Sequence, residues 1–277
     1  MKKIFLFFLI LVIIFNHSYS QELYINSEPA SLIPKGTKVV RLSYSNIIID
    51  ESNALGDVAN AFLMTPSLAY GLSKKIMIST SFQFANRPYE QDLVPNFGFN
   101  GFKFYSKQRI YTTDKQKNHT RLSSFLKYSF HKDNFMKGNI DLDLQNKGFE
   151  LGLIGTQLIK KLAISITSAY TRANDINDDS NNLINLSTFK NSLSAGYLLL
   201  PRKYKSYKQT NFNLYLEYLT NTIMNKTFPV RYNRFSSTLA PGLQFVILSR
   251  SRLDFSYKIR KGDTENEFFI KFTYIIY

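Results

Sequence analysis

At 277 residues with no cysteine and a formal net charge of +15, the chain has the length of two ordinary domains or of one large β architecture. The cysteine count excludes disulfides, thiolate metal sites, a cysteine nucleophile and a lipid anchor on a cut-site cysteine. Phe (24) and Tyr (18) are abundant although mean hydropathy is only −0.19, so polar residues must dilute the apolar ones at close range, and the basic residues are too evenly spread to form a nucleic-acid-binding stripe.

Residues 1–20 have the layout of a secretory leader. Lys2 and Lys3 precede an unbroken apolar run from Ile4 to Phe15, and Ser18 and Ser20 put small side chains before a cut at Gln21. The run is shorter than the roughly twenty residues of a spanning helix. Residues 21–35 are expected to form a periplasmic N-terminal segment, since Pro29 interrupts any strand there. Three roles stay open for it: a tether, a plug in a lumen, or a lead-in.

From residue 36 to 277 the pattern has period two. Leu122, Leu126, Tyr128 and Phe130 alternate with Arg121, Ser123, Lys127 and Ser129; Phe212, Leu214, Leu216 and Tyr218 with Asn211, Asn213, Tyr215 and Glu217; Leu253, Phe255, Tyr257 and Ile259 with Arg252, Asp254, Ser256 and Lys258. A strand with lipid on one face and water on the other needs this alternation, whereas a helix would scatter these residues around its circumference. The pattern predicts twelve strands, near 37–48, 61–72, 76–86, 97–110, 119–131, 149–159, 162–173, 188–200, 208–220, 234–248, 252–261 and 266–277. Tight turns at 73–75, 160–161 and 249–251 alternate with mostly longer polar connections, as in an all-β, transmembrane, antiparallel up-and-down barrel with one rim in the periplasm. The connections at 111–118 and 201–207 are long for that rim. Pro66 and Pro241 fall inside strands, where bulges at Thr65-Pro66 and Ala240-Pro241 would accommodate them. A soluble sandwich or a lipocalin-like barrel stays open as well, because alternation alone does not say which face meets lipid.

Over residues 36–277 the chain resembles the outer-membrane β-barrel proteins of Gram-negative bacteria. Pro66-Ser67-Leu68-Ala69-Tyr70-Gly71-Leu72, a tight turn and Ile76-Met77-Ile78-Ser79 resemble the strand–turn–strand unit of transporter barrels of the family linked to phenol degradation. The last strand, with Phe272, Tyr274 and the terminal Tyr277, resembles the signal read by the barrel assembly machinery. It departs from that signal in placing Phe272 and Tyr274 on the opposite face from Tyr277. The resemblance implies a cell outer membrane location, with outer-membrane lipid and lipopolysaccharide as surroundings.

Candidate chemistry is sparse. His17 leaves with the leader, and His119 and His131 lie at opposite ends of one strand, roughly 40 Å apart at about 3.3 Å per residue, so they cannot share a site. Both are expected to be solvated rim residues. Asp175, Asp178 and Asp179 lack the spaced order of a calcium loop and are expected to be solvated. No cofactor and no catalytic residue is expected. Parity instead points Arg41, Lys103, Lys127, Lys190, Arg252, Lys258, Arg260 and Lys271 inward, against Glu150, Glu217, Asp254 and Glu267. Either this lining selects small polar or anionic solutes in a channel, or its members pair across strands, as Arg260 and Glu267 would, and fill the lumen. The expected function is an outer-membrane channel or transporter. The alternatives are a closed barrel docking a partner through its outer loops or N-terminal segment and, ranked lower, a barrel hydrolase.

Overall fold

The computed structural model describes residues 26–48, 60–86, 97–115, 118–132, 140–177, 182–201, 209–230, 232–261 and 266–277. The expected leader, His17, Asp178 and Asp179 lie outside the described residues. Twelve strands form one closed antiparallel sheet in which each pairs with its chain neighbours: β1 (Lys38–Ile48), β2 (Asn60–Gly71), β3 (Ile76–Ala85), β4 (Gly98–Lys115), β5 (Asn118–His131), β6 (Lys147–Ile159), β7 (Leu162–Asn177), β8 (Leu183–Leu200), β9 (Asn211–Ile223), β10 (Phe235–Ile247), β11 (Ser251–Lys261) and β12 (Asn266–Ile276). The circle closes between β1 and β12, from Lys38 opposite Ile276 to Ile48 opposite Asn266.

The period-two pattern sorts residues as expected. Leu126, Tyr128, Leu214, Leu216, Tyr218 and Ile259 are exposed on the outside, while Ser123, Ser129, Thr171, Ser194, Asn213 and Glu217 are buried within. An apolar exterior around a polar interior inverts the arrangement of a soluble sandwich or lipocalin-like barrel and is stable only with lipid around it, so the barrel is transmembrane. Outward rings pack across strands in register: Phe102 against Phe130 with centroids 5.8 Å apart, and Phe212 against Phe245 at 4.9 Å. Such pairs contribute roughly 0.2–1 kcal/mol each.

The structure corrects three expectations. β4 and β5 extend to Lys115 and Asn118 and pair to those ends, so residues 111–115 and 118, expected in a connection, belong to the sheet. β7 and β8 likewise run on to Asn177 and back from Leu183, beyond the expected ends at 173 and 188. The prolines cause no bulge. The β2–β3 ladder skips Thr65 and Pro66, and the β10–β11 ladder skips Ala240 and Pro241, with register unchanged on either side. Ser256 Oγ donates to the Pro241 carbonyl at 3.2 Å. In an antiparallel strand the N–H and C=O of one residue face the same neighbour, so the donor that proline lacks falls in the interruption. Bulges occur elsewhere, at Gln83/Phe84, Arg109/Tyr111, Ala173/Ile176 and Leu198/Leu200.

One glycine locks three strands together. Tyr215 of β9 lies across Gly242 of β10 and donates its hydroxyl to the Phe255 carbonyl of β11 at 2.8 Å. A Cβ at Gly242 would stand 2.2 Å from the ring. Gly242→Val is therefore expected to destabilise the barrel by about 1–3 kcal/mol. The check is a lower temperature of conversion from the folded to the unfolded band in gel electrophoresis, partly restored by Tyr215→Ala in the same chain; an unchanged temperature contradicts this packing.

Candidate functional site: a chamber between two lumenal insertions

Two irregular segments enter the barrel from opposite rims and leave a chamber between them. The first is residues 26–37. Of the three roles open to the N-terminal segment, its described part takes a place in the lumen, not outside the barrel. Gly36 N donates to the Gly71 carbonyl at the rim of tight turns, and from there the chain runs inward to Asn26, at the midpoint of β9. Ala30, Leu32 and Ile33 are buried against Val39, Ala69, Met77, Tyr105, Phe125 and Ile154 of the inner wall. Glu217 accepts from Ser27 N at 2.6 Å and from Asn26 N at 3.0 Å. Lys107, fully buried, donates to Glu28 and to the Pro29 carbonyl, each at 2.9 Å.

The second insertion is residues 140–146, returning from the loop rim between β5 and β6. Its shape is local. The Asp141 carbonyl accepts from Gln145 N at 3.0 Å and Asn146 N at 3.1 Å, while the Asp141 side chain accepts from Asp143 N at 2.8 Å in an Asx-type turn. Gly148, at φ +148°, returns the chain to β6 where a Cβ would stand 2.0 Å from the Arg172 carbonyl. Ile140 and Leu142 are buried with Ala173, Ile176, Leu186, Ile223 and Tyr232 under the loop rim. Ser129 Oγ reaches the Leu142 carbonyl at 2.5 Å, Gln83 Nε2 donates to the Asp143 carbonyl at 3.2 Å, and His131 Nδ1 lies 3.2 Å from the Asn146 carbonyl. His131, expected to be solvated, is buried because this segment covers it. His119 keeps to the opposite rim, 2.7 Å from Asp114.

Between the insertions is a cavity of about 300 Å³. Its wall carries seven basic side chains, Arg41, Lys103, Lys127, Lys190, Lys258, Arg260 and Lys271, and four carboxylates, Glu28, Asp141, Asp143 and Glu150. Hydroxyls of Ser43, Ser45, Thr65, Ser67, Ser79 and Ser81 cover the β1–β3 side. On the β4–β8 side the lysines are matched by acids. Asp143 bridges Lys103 and Lys127 (2.6 Å to the latter), and Glu150 takes Lys127 at 2.9 Å, Lys190 at 3.2 Å and the Thr171 hydroxyl at 2.8 Å. On the β11–β12 side Lys258, at 3.0 Å, and Arg260 share the single carboxylate of Glu267, which also accepts from Ser45 Oγ at 2.8 Å. Glu267 stands directly opposite Lys258, and Arg260 reaches it diagonally, two residues along from the expected facing pair. Lys271 has no ion pair among the described residues.

The twelve residues that parity points inward are all buried or line the chamber, but they do not gather in one place. Glu217 holds the N-terminal insertion. Asp254 accepts from Gln244 Nε2 at 2.6 Å within the wall, and Arg252 is buried in the wall outside the chamber lining. Of the assembly-signal residues, Phe272 and Tyr274 face outward, and the Arg250 guanidinium lies 5.7 Å from the Tyr277 ring. Asp175 pairs with Lys147 at 2.6 Å. Sequence reasoning missed Glu28, Asp141 and Asp143, because strand parity says nothing about irregular segments. A signal was present in the alternation of Ile140, Leu142 and Leu144 inside a stretch expected to be a polar outer loop.

No family model and no curated protein matches the chain. Among solved structures it is similar to the NanC porin, at 13% identity and TM-score 0.50 over 86% of this chain and 98% of that one. It also matches the KdgM porin (9%, 0.48, 84% and 98%) and the β domain of the Bordetella autotransporter BrkA (11%, 0.49, 87% and 99%). At these identities the likeness is one of fold.

Burial alone would raise the Asp143 carboxyl, but Lys103, Lys127 and Lys190 outweigh it and hold the group well below its ordinary value of 3.8. A depressed carboxyl stabilises the fold above its unfolded-state value and loses that contribution as pH falls through its folded value. The amides of residues 144–146 are thus expected to keep their hydrogen-exchange protection from pH 7 to 5 and to lose it only in stronger acid. Asp143→Asn is expected to reduce that protection about tenfold at pH 7. Equal protection in the two proteins contradicts the latch.

Proposed function

We propose that this barrel is an outer-membrane channel that passes small polar or anionic solutes through the chamber. The observation that carries this reading is the charge of the wall: seven basic side chains line the chamber with four carboxylates, and one of the seven, Lys271, has no ion pair among the described residues. In a narrow, low-dielectric passage such an excess concentrates anions and repels cations. The serine and threonine hydroxyls beside it supply neutral hydrogen-bond partners for a solute that has shed part of its water. The apolar exterior suits outer-membrane lipid and lipopolysaccharide, and the outward Phe272 and Tyr274 suit presentation of β12 to the barrel assembly machinery. Nucleic acid has no part in this reading, and neither does catalysis or a cofactor.

A second reading, a closed barrel that docks a partner, draws on the apolar packing of both insertions against the inner wall. Planar-bilayer recording separates the two, since a closed barrel is silent when folded. In the channel reading Lys271→Glu lowers the anion-to-cation permeability ratio about twofold or more, because it reverses a charge on the chamber wall that has no ion pair among the described residues. An unchanged ratio in a conducting variant rules out selection by the chamber wall.

A further inference from the structure

The N-terminal insertion is held in a way that differs from strand pairing. Among the described residues no strand of the barrel forms a ladder with residues 26–35. Lumenal side chains bind its main chain instead: Glu217 accepts from the N–H groups of residues 26 and 27, Thr156 Oγ1 accepts from Ala30 N at 2.8 Å, Ser123 Oγ donates to the Ala30 carbonyl at 2.6 Å, and Lys107 donates to the Pro29 carbonyl. Two further contacts read small side chains, Arg121 to Ser31 Oγ at 2.9 Å and Ser194 to Ser27 Oγ at 2.8 Å. These six residues come from β4, β5, β6, β8 and β9, so the segment crosses the inside of the wall as a ligand would.

Lys107 makes the strongest case. Its ammonium is fully buried, and both of its hydrogen-bond acceptors among the described residues belong to the insertion. A buried charge that loses its partners is strongly unfavourable. The wall is therefore built around an occupant that supplies a carboxylate and a carbonyl at this point and backbone N–H groups at Glu217.

We propose that the turn-rim half of the lumen is a binding track for an extended polypeptide, that residues 26–33 are its tethered resident ligand, and that their departure opens the barrel toward that rim. The opening rests on the channel reading; the track does not. Tethering gives the resident segment an effective concentration on the order of millimolar, so a free peptide competes only when the resident is removed or released. Readout through main-chain groups makes the track tolerant of sequence away from the Lys107 position.

The absence of native cysteine allows a clean test. In the full chain, Ser27→Cys with Ser194→Cys places two thiols where hydroxyls now touch, and mild oxidation is expected to crosslink the folded protein and reduce its conductance reversibly. In a chain lacking residues 21–33, conductance is expected to rise several-fold, and a synthetic peptide of residues 21–35 is expected to bind saturably and lower it again. Glu217→Ala in that chain is expected to weaken the peptide at least tenfold. Failure of the folded cysteine pair to crosslink, or absence of peptide binding to a folded truncated barrel, overturns the track. Crosslinking and binding with an unaltered conductance overturn the opening. Silence of every form in the bilayer, with binding intact, would instead remove the channel reading and leave the track standing.

Discussion

In hydrocarbon no water is available to satisfy a backbone N–H or C=O, and this constraint governs the rest of the molecule. A sheet there must have no edge, so β1 meets β12 and the circle closes. Closure sends one face of every strand to lipid and the other to the lumen, which is why large apolar side chains cover the outside and most of the buried polar side chains are inside. Even the two prolines within strands obey the rule, each set where a ladder lapses on the side its missing donor would have faced.

Concentrating polar side chains in the lumen creates a second demand. A charged group in a confined interior needs partners, and strand parity alone supplies more cations than carboxylates. The insertions meet much of this demand. Glu28 comes to buried Lys107, and Asp143 comes to Lys103 and Lys127, so each insertion is fixed by the charge it neutralises as well as by the apolar side chains it buries. Among the described residues Lys103, Lys127 and Lys190 of the chamber each have an ion pair, whereas Lys271 on β12 has none, and this difference gives the chamber its character.

Most of the fold was legible in the sequence because a barrel writes itself in period two. Leu126, Tyr128 and Phe130 against Lys127 and Ser129 fix a strand and both its faces, and every residue assigned to the lumen by parity does point inward. Strand ends were less legible: Tyr111, Thr112 and Thr113 continue β4 where a turn was expected, because pairing with β5 overrides the loss of clear alternation. The partners of the lumenal charges were not legible. Arg260 and Glu267 sit two residues out of the expected register, since Glu267 faces Lys258. Glu28, Asp141 and Asp143 are carried by segments without a period, and their places depend on tertiary packing of Leu32, Ile33, Ile140 and Leu142. His131 followed them, turned from a rim residue into a buried one by a loop that folds back.

We propose that the basic side chains of the chamber, Lys271 among them, set what passes through the barrel. The most direct test is the reversal potential of the folded protein, expressed from Gln21 onward, in a planar bilayer across a gradient of potassium chloride. A steady conductance whose reversal potential has the sign of chloride permeation is the predicted result, and a potential near zero or of cation sign would contradict the account.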